Sequence, residues 1–458
     1  MVLDFAKVAK KGIFTFYISS SMLVIYSENI SSRIDYVFDL VFKQEFEIEY
    51  SLTSDRNVFN APQAEKINYA SARNSETEFF IKSAPLLFES FIEKKEIPVS
   101  EKFETKVLFS NDGSCDLGFD VFSAIFYMVS RYEEYLPFTP DAHGRYKASD
   151  SLAFRYHFLE IPIVNIWLSI LRKTLQKKFP ALSFKSSTFK TILTYDIDVA
   201  YKYRGRSIGR MVGAMGKDLL KWNWKNLIQR KLTILHLRKD PWDIYDYLSE
   251  TITKNKLDST FFFLLADKSK HDRNLDWQRE VMKKLVQKIQ TFSETGIHPS
   301  YQSSQVPEKI LVEKQRLEEL GGRKINKSRQ HFLRFTLPDT YDALLQAGIT
   351  EDYSMGFPAM HGFRAGTCTP FYFYNLKEEK ATKLKIFPVT FMEGTFISIN
   401  KPDDALQEML KMIDAVKNVG GTFISIWHNH TVSDTSEYKA WRHVHEQVIR
   451  EILQCRSS

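Results

Sequence analysis

From about residue 186 onward, short apolar runs alternate with capped amphipathic stretches. This rhythm constrains the fold most, because a repeated strand–helix pattern buries its strands as a parallel sheet covered by helices. The last unit is the clearest. "DDALQEMLKMIDAVKNVGG" has apolar side chains at 406, 409, 410, 413 and 416, acids at its start and Gly420–Gly421 at its end. It predicts a helix with a glycine stop. "TFISIW" follows as a strand and delivers His428; "STFFFLL", "TGIHPSY", "KINKSRQHF", "GITEDYS" and "KLKIFPV" read as further units. No short-period repeat accompanies them, so the pattern is not a solenoid.

Upstream the rhythm differs. A polar stretch covers residues 51–75, and "FDVFSAIFYMVSRYEEYLP" carries apolar positions 122, 125, 126 and 129 at helical spacing before Pro137. A second helix, "VNIWLSILRKTLQKKFP", ends at Pro180. At 458 residues the chain exceeds what one core usually serves. The expectation is a smaller α+β N-terminal domain of unknown role over 1–185, then an α/β domain over 186–458. Hydrophobic residues at 43% and charged residues at 26% place the chain among globular proteins rather than disordered ones. Cys115, Cys368 and Cys455 are far apart, which argues for a reducing compartment and against a cysteine-ligated structural zinc. The opening "KVAKKGIFTFYISSSMLVIYS" reads as an irregular leader and a buried strand "MLVIYS", not as a targeting segment. With no other stretch suited to span a bilayer, a cytoplasmic location is expected.

Polar residues gather where the strands of the second half end. "TILTYDIDVA" puts Asp196 and Asp198 on one strand face, where two like charges need a cation, a shared proton or solvent to coexist. His298 and Tyr301 end "TGIHPSY", Arg329 and His331 end "KINKSRQHF", Asp352 follows "GITE", and His428 ends "TFISIW". In a parallel α/β barrel these ends share one face.

The order "TYDID", "STFFFL", "GIHPSY", "SRQH" and "IWHNH" resembles the polysaccharide deacetylases of carbohydrate esterase family 4, over about residues 188–450. The resemblance implies a distorted (β/α) barrel and a metal-dependent hydrolase that removes N-acetyl or O-acyl groups from a polysaccharide or glycan precursor. It makes Asp196 the base, Asp198 a metal ligand, His298 the first histidine of an HxxxH motif, Arg329 the residue orienting the base, and His428 the acid. The cofactor implied is a divalent metal, zinc first. The chain departs from the pattern at Gln302, where the family has its second histidine, and in "RQHF", where the third motif has a proline. A glutamine oxygen is a weaker zinc ligand than an imidazole, and His331 is the candidate replacement. The departure keeps a rival open: a catalytically impaired glycan-binding or regulatory protein on the same barrel.

The physical case runs beside the resemblance. Amide hydrolysis at neutral pH needs an activated water, a carboxylate to take its proton and an acid for the leaving amine. Tyr301 is a candidate for steadying the oxyanion, and Gln302 for touching substrate. "GFRAGT" reads as a substrate loop bringing Arg364 to the rim, or as a turn pairing Arg364 with Asp352.

Residues 202–239 hold eleven Lys or Arg against one acid, Asp218, in a chain of net charge +7, with Trp222 and Trp224 among them. Three readings are open: a solvated surface helix, a device that steers an anionic glycan, and a peripheral membrane contact. No nucleic-acid module is visible.

Overall fold

The computed structural model describes residues 23–60, 64–111, 113–398 and 401–457. The leader before Leu23 therefore lies outside the described residues. The apolar run that follows it is β1 (Leu23–Ser27), buried along its length. With β2 (Tyr50–Thr53), β3 (Glu65–Ala70) and β4 (Phe79–Lys82) it makes a parallel sheet in the order β2-β1-β3-β4. β5 (Val99–Lys102) and β6 (Thr105–Leu108) form a separate antiparallel hairpin. The helix Val121–Val129 is wholly buried and is N-capped by Asp120, whose carboxylate accepts from the Phe122 and Ser123 N–H groups. It stops at Ser130 because Arg131 turns left-handed. The longer helix Ile163–Lys178 follows.

The second half builds a mixed α/β arrangement on a mostly parallel sheet. Its strands are β7 (Lys190–Ile197), β8 (Asp258–Phe263), β9 (Glu294–Ile297), β10 (Lys327–Ser328), β11 (Glu351–Asp352), β12 (Phe371–Asn375), β13 (Lys380–Ile386), β14 (Phe391–Met392) and β15 (Thr422–His428). Their order is β12-β13-β11-β10-β9-β8-β7-β15-β14, and only the β12–β13 pair is antiparallel. One stretch of chain changes partner within a few residues. β13 pairs with β11, the Val389 N–H then donates to the Met355 carbonyl, and β14 pairs with β15.

β7 and β8 are buried almost along their whole length, as strands covered on both faces are. The helix Pro402–Asn418 packs its 405, 409, 412, 413 and 416 face inward and ends near Gly420, at φ +64°. A Cβ at Gly420 would lie 2.8 Å from Ser187 backbone atoms, so this stop needs glycine for conformation and for space. "KINKSRQHF" and "GITEDYS" give only two-residue strands, β10 and β11.

One hydrophobic cluster runs through both halves. Polar ties cross the same boundary. Tyr36 donates to the Tyr372 carbonyl at 2.6 Å, Arg33 pairs with Glu379 at 2.6 Å, and the Val164 N–H donates to the Gly366 carbonyl at 2.8 Å.

Candidate functional site

β7 and β15 lie side by side in a register that pairs His428 with Asp196. Asp198 follows β7, and His298 follows β9. Arg329 and His331 follow β10, so parallel strand ends deliver all six groups to one place. Asp196 is buried; its Oδ1 accepts from Arg329 Nη1 at 2.9 Å, and its Oδ2 lies 3.7 Å from His298 Nε2. Arg329 is fully buried and held by Thr194 Oγ1, the Tyr353 carbonyl and the Phe262 ring. A charge-assisted bond from a guanidinium held this way fixes the carboxylate's orientation.

Three imidazoles converge on Asp198. His298 Nε2 lies 3.3 Å from Asp198 Oδ1; His331 Nε2 and His428 Nε2 lie 3.6 and 3.7 Å from Oδ2. On each ring the other nitrogen faces an oxygen that can only accept: the Arg329 carbonyl for His298, Asp272 at 3.0 Å for His331, and Glu393 at 2.7 Å for His428. Each Nδ1 therefore carries a proton, which leaves Nε2 facing inward to hold a second proton or a cation. An Nε2 and a carboxylate oxygen this close need one or the other between them. Burial works to raise Asp198, and the His331, His298 and His428 imidazoles outweigh it and hold it well below the usual carboxylate range. Burial lowers His331 and His428. Asp198 and Asp272 more than reverse this for His331, which is pushed up to about 9, and Glu393 with Asp198 brings His428 up to about 10.

These donors suit a divalent metal. Asp198 Oδ1 is buried and accepts no hydrogen bond. Ligand atoms of Asp198, His298 and His331 all lie within 4.8 Å of one another. Two donors bound to one tetrahedral zinc at about 2.0–2.1 Å stand about 3.3–3.4 Å apart, close to the separations seen here. The Asp272 hydrogen bond to His331 is of the kind that orients a metal-binding histidine, and Glu393 fixes the His428 ring in the same way.

The remaining candidates fall elsewhere. Gln302 sits on the short Tyr301–Ser304 helical turn with its side chain exposed, and His331 occupies the third position of the donor set. Tyr301 directs its hydroxyl to His143 Nδ1 at 3.1 Å and stacks on His271, beside Phe332. Arg364 corrects both of its expectations. It is buried, forms two hydrogen bonds to Glu134 at 2.6 and 2.9 Å, and packs on Phe335, so it neither reaches the rim nor pairs with Asp352. Its loop turns instead toward the helix Ile163–Lys178, where a Cβ at Gly366 would meet Met128 and Ile163. Asp352 is a buried structural group, accepting from Ser328 and Ser354.

Three contributors escaped the sequence reading. Glu393 opens a helix at the end of β14, the same strand-end position as the other site residues, and that position was its only signal. Asp272 comes from a loop with no pattern to reveal it. His143 belongs to the N-terminal half, and Arg145 and Arg334 tie its loop to the Phe332 turn.

A family model of unknown function, DUF7033, matches residues 23–180, less than half of the chain. No curated protein sequence matches it. Among solved structures the chain is similar to one assigned to the polysaccharide deacetylases from Mycobacterium smegmatis, at 14% identity and TM-score 0.38, over 58% of this chain and 86% of that one. It is similar to the polysaccharide deacetylase Bc1974 from Bacillus cereus, at 9% identity and TM-score 0.30, over 58% and 87%. It is also similar to a CE4 family pseudoenzyme from Bacillus anthracis, at 11% identity and TM-score 0.29, over 57% and 66%. All three TM-scores lie below 0.5, so a functional reading has to rest on the chain's own residues.

Proposed function

We propose that the protein is a metal-dependent hydrolase that removes an acyl group, N-acetyl first, from an amino sugar of a polysaccharide or glycan precursor. One observation carries the reading: three imidazoles, each with its Nδ1 proton committed outward, aim Nε2 at Asp198 beside a second, arginine-held carboxylate. Asp198, His298 and His331 would hold the metal. Such a cation lowers the pKa of water from about 16 to roughly 7 and polarises a carbonyl. Asp196, oriented by Arg329, accepts the proton of the attacking water. His428 is kept protonated by Glu393 and gives a proton to the leaving nitrogen. The partner switch of the β13–β14 stretch supports reading the sheet as a distorted barrel, with residues 186–458 as the hydrolase unit and 1–185 as a domain packed onto it.

The test pairs metal content with acetate release. Purified protein should hold about one zinc or cobalt ion per chain, lose it in the His298→Ala and His331→Ala variants, and release acetate from acetylated glucosamine oligomers. A protein that holds metal yet releases acyl groups from no glycan would favour the binding protein instead. Equal metal in parent and variants would remove the ligand assignment.

A further inference from the structure

Between β7 and β8 the chain rises into a helical hairpin, Ile208–Leu220 and Trp224–Ile234. Its base is clamped by Asp240, whose buried carboxylate accepts from the backbone N–H groups of Lys202, Tyr203 and Arg204. Asp218 and Arg230 bridge the two helices at 2.8 Å. The hairpin has almost no interior. In the second helix only Thr233 is buried, and none of the described side chains of the first is.

Its apolar side chains face outward. Eight of the nineteen large hydrophobic residues exposed among the described residues fall between Val212 and Leu237, including Leu220 at 83% exposure, Trp222 at 78% and Leu237 at 72%. Val212, Leu219 and Leu220 lie on one helical stripe; Trp224, Ile228 and Leu235 lie on another. Trp222 and Trp224 meet edge to face at the tip, with centroids 6.1 Å apart. Exposed Lys217, Lys221, Lys225 and Lys231 are interleaved with them. Residues 208–238 carry seven Lys or Arg against Asp218 alone.

We infer that this hairpin docks the protein onto an anionic lipid surface. Apolar stripes with a tryptophan pair and surrounding lysines match a bilayer interface, which takes up the apolar side chains at the acyl boundary and pairs the cations with headgroups. An anionic glycan or nucleic acid would use the charge and leave Leu220, Trp222 and Leu237 in water. A second copy of the hairpin would bring the same positive charge against itself. The docking does not depend on the hydrolytic reading. A basic cavity of about 520 Å³ lies against the hairpin, lined by Lys202, Arg230, Lys268 and Asp272, which is the partner of His331.

The test is flotation of the full chain with vesicles of phosphatidylcholine alone or mixed with phosphatidylglycerol, at low and high salt. Expected is binding to the anionic vesicles only, weakening as salt rises. Leu220→Asp with Trp222→Asp should lower the partition coefficient by about tenfold or more. Lys217→Glu, Lys221→Glu and Lys225→Glu together should lower it on the order of 100-fold. All five side chains are exposed, so the melting temperature should stay at the parent's value, which separates lost docking from lost folding. The inference falls if the parent ignores anionic vesicles or if the Leu220/Trp222 variant floats as well as the parent. It falls equally if the parent dimerises in solution, the tip variant is monomeric and neither floats, an outcome that assigns the face to a second copy.

Discussion

Asp196 and Asp198 differ in partner rather than in chemistry. Asp196 is held by a guanidinium that is itself fixed by Thr194, the Tyr353 carbonyl and the Phe262 ring, so it stays a fixed acceptor. Asp198 faces three Nε2 atoms and keeps one buried oxygen without a hydrogen bond, so it is the group a cation would satisfy. Asp272 and Glu393 decide which way the His331 and His428 Nε2 atoms point. Asp272→Asn should therefore weaken zinc binding by about 10–100-fold with little change in melting temperature, as measured by competition with a chelator. Parent-like affinity would remove Asp272 from the orienting role. Without metal, His331 holds its proton up to about pH 9, and a metal must displace it. Apparent zinc affinity should climb as pH rises toward about 9 and level off above. Calorimetry in two buffers of different ionisation heat should show a proton released from this residue at neutral pH. Affinity independent of pH from about 7 to 9 would contradict the arrangement.

At the scale of elements, the closing helix Lys439–Ser457 carries a second kind of histidine. His445 is fully buried, with Nε2 3.0 Å from the Tyr195 hydroxyl and Nδ1 3.1 Å from the Tyr247 hydroxyl. Burial drives it down to about 3, so it stays neutral in the folded state while the unfolded chain takes a proton near pH 6.5. The sign follows: stability is complete above pH 6.5 and is lost as pH falls from there toward 3, by about 1.4 kcal/mol per unit from this residue. His445→Gln should flatten that part of the curve in denaturant titrations at several pH values, after an initial cost of about 1–3 kcal/mol for the disturbed hydrogen bonds.

Across the whole molecule, the two halves share one core and exchange buried charges. Arg364 and Glu134 come from opposite halves, and Arg131 also donates to Glu134 from within the same interior. Burial works to raise Glu134, and the two guanidiniums outweigh it and bring it down to about 2. Arg364→Ala leaves part of that charge unanswered, so unfolding free energy should fall by about 3–5 kcal/mol while metal stoichiometry of the folded fraction is unchanged. A stable variant with lost metal would return Arg364 to the site. The same packing brings His143 against Tyr301, so the N-terminal half supplies part of the wall beside the candidate centre.

The local pattern already carried the alternation of strands and helices, the glycine stop at Gly420 and the delivery of Asp196, Asp198, His298, Arg329 and His428 to strand ends. Periodicity and chain order are properties of neighbouring residues, and a parallel sheet turns them into position. Which side chains face one another across the sheet was beyond that reach. Asp272 behind His331, Glu393 behind His428, and Arg364 sealed against Glu134 all depend on contacts between segments tens to hundreds of residues apart. Those pairings are chosen by burial: a charge removed from water must find its partner in the interior, and no local stretch of chain records which partner that is.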